Sequence, residues 1–118
     1  MPEVPPNLQP LPFDAAAADA AIGACQRAAS VVAAAAADRL AAARVAQASW
    51  KGRYRDEFDQ DLAVLTDEAA DLEAALRGLA GDVARAGAEV RRINQRRAVD
   101  RAEWQRAELA RTSRDGGG

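Results

Sequence analysis

From Phe58 onward, apolar residues recur at alternating spacings of four and three: Phe58, Leu62, Leu65, Ala69, Leu72, Leu76, Leu79, Val83, Ala86, Val90 and Ile93. Such a pattern predicts an amphipathic helix with a coiled-coil-like seam. The next seam positions are Arg97 and Asp100, so the seam is expected to stop after Ile93. Residues 94–112 can continue as helix, but outside that interface. Upstream, from Asp14 to about Ser49, only Gly23 interrupts helix-compatible sequence. Ile22, Val32, Leu40 and Val45 are its larger apolar side chains, and Ala18, Ala29, Ala36 and Ala43 fill the same broad stripe. This predicts a first helix of roughly 36 residues, about 54 Å long, whose small side chains let a second helix approach closely. Asp14 is its candidate N-cap. Residues 1–13 hold all five prolines, a density that forbids an α-helix and predicts an extended or disordered arm.

Ser49-Trp50-Lys51-Gly52 separates the two patterns. Gly52 can take positive φ without steric penalty and so end or reverse a helix. A short link between two long helices predicts an antiparallel hairpin. Two helices leave apolar surface uncovered and rarely stabilise themselves. Two copies, or one copy with a relative, are therefore expected to close an elongated four-helix bundle. The expected organisation is an all-α chain with a proline-rich arm (1–13), a hairpin (14–93) and an arginine-rich, partly helical tail (94–118).

Composition reinforces this reading. Of 118 residues, 32 are alanine, the best helix former, and five are aromatic: Phe13, Trp50, Tyr54, Phe58 and Trp104. There is no histidine, so histidine-based catalysis and metal binding are absent from the menu. Cys25 is the only cysteine; it cannot form an internal disulfide and reads as an inert packing residue. Gly78, Gly81 and Gly87 interrupt a helical pattern rather than forming a phosphate-binding loop. No enzyme, cofactor, metal or small-molecule substrate is expected. Asp14, Asp19 and Arg27 break the long apolar stretch from Gln9 to Asp38, so no membrane span is expected. The N-terminus lacks the basic region and apolar core of a Sec-type signal.

Charge is distributed unevenly. Residues 1–90 carry 8 basic and 14 acidic side chains, whereas residues 91–118 carry 8 arginines and 4 acids. Arg91, Arg92, Arg96, Arg97, Arg101, Arg106, Arg111 and Arg114 could neutralise phosphates. The interspersed Glu89, Asp100, Glu103 and Glu108 favour a solvated helix held by ion pairs, such as Arg96 with Asp100. Nucleic-acid binding is the weaker reading.

These residues resemble a known family. A Trp-x-Gly turn between two helices of comparable length is similar to the Trp-x-Gly superfamily of small type VII (ESX) secretion substrates of actinobacteria and firmicutes. The resemblance runs from about Asp14 to Ile93. Trp50-Lys51-Gly52 matches the motif, Phe58 falls where the family often carries an aromatic, and Leu76-Arg77-Gly78-Leu79-Ala80 with Ala86-Gly87 resembles the end of the family's second helix. The resemblance implies a helical hairpin that dimerises with itself or with a neighbouring-gene partner. It also implies folded, Sec-independent export to the cell surface or medium, driven by a membrane-bound secretion ATPase. The mycobacterial systems use a C-terminal Tyr-x-x-x-Asp/Glu signal, and this chain departs from it, having no tyrosine after Tyr54. The nearest variant is Trp104 with Glu108, an aromatic and an acid one turn apart.

The expected function is thus a non-enzymatic secretion substrate or dimer partner, able to escort a larger effector. The alternative is a cytoplasmic helical adaptor or chaperone subunit. Trp50 and Gly52 form the motif turn. Phe58, Leu62, Leu65, Leu72, Leu76, Leu79, Val83, Val90 and Ile93 form the seam, and Trp104 and Glu108 are the candidate signal. Trp50 also reads as a plug for the hairpin end. Tyr54 and Phe58 read as core or interface residues.

Overall fold

A computed structural model describes residues 2–116. Among these the architecture is all-helical: a short 3-10 turn over Pro6–Leu8, then helix α1 (Ala15–Gln47) and helix α2 (Arg53–Gly116). Asp14 occupies the position before α1, as an N-cap should. The second helix runs well past Ile93. Its distal half contains no proline, and acid–arginine pairs one turn apart lace its surface: Glu89 with Arg92 at 2.6 Å, Arg96 with Asp100 at 3.9 Å, and Glu108 with Arg111. Such pairs support an exposed helix by a few tenths of a kcal/mol each. The last two glycines of the expected tail, and Met1, lie outside the described residues.

The chain divides into two compact units. A proximal unit, Ala16–Ala84, contains α1 and the first half of α2. A distal unit joins the N-terminal arm, Met1–Ala15, to the end of α2 from Arg85.

In the proximal unit, side chains from α1 and α2 line shared clefts. One is formed by Arg39, Ala42, Ala43 and Ala46 with Phe58, Asp61, Leu62 and Leu65, and another by Val32, Ala35 and Arg39 with Leu65, Glu68, Ala69 and Leu72. A third lies between Ile22 or Gln26 and Arg77, Ala80, Gly81 and Ala84. Residue numbers fall along α1 as they rise along α2. Between the helices the only fully buried apolar side chains are alanines: Ala29, Ala43 and Ala80. Small residues allow close approach, but each contributes little apolar area. By length and composition α1 is also apolar enough to cross a membrane, with a window of mean hydropathy 1.3. The charges between Gln9 and Asp38 do not lower it below that level, because alanine is mildly apolar and abundant.

Of the two states expected for the arm, extended or disordered, the distal unit shows a largely extended one. Residues 2–13 are non-α, as the prolines require, but the arm is laid along α2 and fastened there. Asn94 clasps the Leu11 backbone from both sides: its Oδ1 accepts the Leu11 N–H at 2.7 Å, and its Nδ2 donates to the Leu11 carbonyl at 3.2 Å. Arg97 donates to the Gln9 carbonyl at 2.9 Å and Arg101 to the Leu8 carbonyl at 3.0 Å. The arm therefore runs opposite to α2. Within it, the Leu8 N–H donates to the Pro5 carbonyl and the Gln9 amide side chain to the Val4 carbonyl.

Candidate functional site

The motif turn is a tight, bonded structure. Helix α1 ends at Gln47, Ala48 and Ser49 form a turn, and Gly52 adopts φ +104° immediately before α2. Gly52 is the only described residue with positive φ, a region where a Cβ would clash with the following carbonyl. Its own carbonyl accepts from the Arg55 and Asp56 N–H groups at 3.0 and 3.2 Å, closing the first turn of α2. Gly52 therefore starts the second helix rather than capping the first.

Trp50 folds back onto Phe58, with ring centroids 5.2 Å apart and planes at 52°. Its exposure of 37% leaves part of the indole on the surface. Tyr54, in contrast, stands in solvent beneath the Arg53 guanidinium and takes no part in the core of the single chain.

A polar clamp that the motif does not reveal holds the turn. Arg55 donates from Nη1 to the Gln47 and Trp50 carbonyls at 2.7 and 2.8 Å, and from Nε to both Asp59 carboxylate oxygens at 3.0 Å. Gln47 Nε2 donates to the same carboxylate at 2.6 Å. The guanidinium thus satisfies a terminal carbonyl of α1 and places positive charge at that helix's negative end. Arg55 and Asp59, four apart in the first turns of α2, were the available sequence signal.

The seam splits into two columns. In the proximal unit Leu62, Ala69, Leu76 and Val83, seven apart, are half-buried. Leu65, Leu72 and Leu79 are 45%, 51% and 51% exposed. A strict seven-residue repeat drifts about 20° per heptad around a straight helix. Leu79 has accordingly turned some two heptads of drift away from where Leu65 stands. Ala80, eighteen residues (five turns) after Leu62, comes onto the facing line and is buried. Phe58 is half-buried at the seam's start.

Of the outward leucines, Leu65 and Leu72 line two largely apolar clefts that share Arg39 and Leu65. On their α1 side stand Ala46, Ala42, Ala35 and Val32, again at spacings of four, seven and three. The larger holds a volume of about 440 Å³ and the smaller about 270 Å³. Arg39 is the only basic residue lining both.

In the distal unit Val90 and Ile93 are half-buried, and the covered face continues through polar residues. Asn94, Arg97, Arg101, Trp104 and Glu108 follow each other at three–four spacing and are all half-buried. Two of the tail arginines therefore bind the chain's own backbone instead of standing in solvent. Trp104 and Glu108 do share this face, but Glu108 is not free: its side chain is 15% exposed and its carboxylate pairs with Arg111. The remaining acid–arginine pairs are surface features. Glu89 accepts hydrogen bonds from Arg92, which hold its carboxyl below the ordinary carboxylate value and raise Arg92.

Among the described residues no cluster of ligating side chains could hold a metal ion. Cys25 is half-buried and unpaired with sulfur. Comparisons with protein-family models, with curated proteins and with solved structures find no match to this chain.

Proposed function

We propose that the chain is a small non-enzymatic substrate, or dimer partner, of a type VII secretion system, and that α1 and proximal α2 form an antiparallel hairpin which pairs into a four-helix bundle. A core of alanines beside a row of half-exposed leucines carries this reading. A pair of helices that buries no large side chain fully has little hydrophobic stabilisation of its own. Covering the exposed part of Leu65, Leu72 and Leu79 contributes about 1 kcal/mol for each. The clefts that Leu65 and Leu72 line are largely apolar and suit another helix. The Trp50–Gly52 turn supports the family resemblance, because the positive φ of Gly52 and the half-exposed indole give both motif residues a physical task.

One observation favours a second reading. Glu108 is paired and covered, so the Trp104–Glu108 element does not present a free carboxylate to a receptor. A cytoplasmic adaptor would use the same leucine face without any displayed signal. Export separates the two. In a host with an active secretion system, the substrate reading expects the tagged chain in the medium and its loss on Trp50→Ala at unchanged cellular levels. Retention of wild-type chain inside the cell, with its partner still bound, would select the adaptor.

A further inference from the structure

The distal face of α2 bonds the backbone of the arm, along the extended stretch at Gln9 and Leu11 and at the end of the Pro6–Leu8 turn. Asn94 uses both halves of its amide on one residue, as a neighbouring β-strand would, and Arg97 and Arg101 take the carbonyls of Gln9 and Leu8. None of these contacts depends on an arm side chain. The one N–H required belongs to Leu11, between Pro10 and Pro12, neither of which has an N–H to give. A single ring completes the recognition. Gly87 is buried on the helix surface, and a Cβ placed there would meet the Phe13 ring at 3.0 Å. The missing side chain of Gly87 is thus what lets the tip of the Phe13 ring approach the helix this closely.

The ligand is suited to such a site. Pro5 and Gln9 sit at φ −56°, ψ 144° and φ −75°, ψ 148°, the polyproline II region. Five prolines restrict the free arm to conformations near the bound one, so little ordering entropy is lost on docking. Backbone-directed contacts with a stiff chain are tolerant of sequence and open to competition.

We infer that the Gly87–Arg101 face of α2 is a binding site for an extended, proline-rich segment of another protein, with an aromatic two residues beyond the clasped position, and that the chain's own arm is a displaceable occupant of it. Tethering holds the arm at an effective concentration of about millimolar, so it blocks weak ligands and yields to a tighter or multivalent one. The inference is independent of the leucine face and of export.

The full-length chain tests it. Leu11→Pro removes the N–H that Asn94 accepts and loosens the resident arm; Phe13→Asp, which sets a charge against Gly87, does so independently. The probe is a fluorescein-labelled peptide of residues 2–13, titrated by anisotropy against chains whose helicity is verified by circular dichroism. Either variant should bind the peptide saturably and at least tenfold more tightly than the wild type. Adding Asn94→Ala should weaken that binding about tenfold. No binding by both helical variants at millimolar peptide would overturn the inference, as would binding indifferent to Asn94→Ala. A wild-type dimer that Asn94→Ala dissolves would assign the face to a second copy's arm and overturn the separate-partner reading.

Discussion

The two units hold their segments together by opposite means. In the proximal unit, two helices meet through alanines, with no fully buried large side chain and with three leucines left outward. Its cohesion is non-directional and grows with area. In the distal unit a proline-stiffened arm meets one helix through four hydrogen bonds at its backbone, three donated by Asn94, Arg97 and Arg101 and one donated by the Leu11 N–H to Asn94. The first kind of surface leaves leucine area uncovered, whereas the second meets its segment bond by bond.

The largest predicted effect breaks the proximal unit in two distinguishable ways. Leu76→Asp, on the half-buried column, should cost about 3 kcal/mol by placing a charge between the helices, and helicity at 25 °C should fall. Leu72→Asp, on the outward column, should leave a helical single chain but weaken self-association more than tenfold by light scattering. Equal behaviour of the two variants would dissolve the distinction between the columns.

Gly52→Ala comes next. Forcing a Cβ into φ +104° should cost about 1–2 kcal/mol, lowering the thermal midpoint by several degrees. Arg55→Ala should cost about 1 kcal/mol through the carbonyls and carboxylate it leaves unserved. Accelerated amide exchange confined to the last turn of α1 and the first of α2 would mark that loss.

In the distal unit, Asn94→Ala should release the arm without altering the helices. Amide exchange at Leu11 should rise about tenfold, since the N–H loses its acceptor, while the proximal unit stays unchanged. Spread of the effect into the proximal unit would merge the two units into one.

The smallest effect concerns charge. Glu89 titrates below the ordinary carboxylate value because Arg92 donates to it, so its contribution is present above that ordinary value and fades as pH falls through the folded one. Arg92→Ala should return the Glu89 titration, followed by NMR, to the ordinary value. Both groups lie in solvent, so the melting temperature should not move.

Much of the helix content was legible in the pattern. The heptad run and the alanine-rich run set both helices, and the Trp50–Gly52 break fell within a few residues of the observed turn. Two features were not legible. A 4-3 seam marks a face but not the partner that covers each column, and the drift of a straight helix moved Leu72 and Leu79 outward while bringing Ala80 inward. The docking of the arm was the second, because proline density reports a lack of helix and says nothing of docking. Arg97 looked like a break in an apolar seam and Arg101 like one of several solvated tail charges, yet their register with Asn94 places them on one face, where a helix surface can serve backbone carbonyls. The Arg55–Asp59 spacing was visible, but nothing local tied it to Gln47.

The solution mass of the full-length chain, measured by light scattering at tens of micromolar, tests the central claim that the leucine face is covered by a second helical pair. The account predicts twice the 12.4 kDa of one chain, falling to a single helical chain on Leu72→Asp. A wild-type chain that is monomeric, helical and cooperatively melting would contradict it, because alanine packing alone would then suffice.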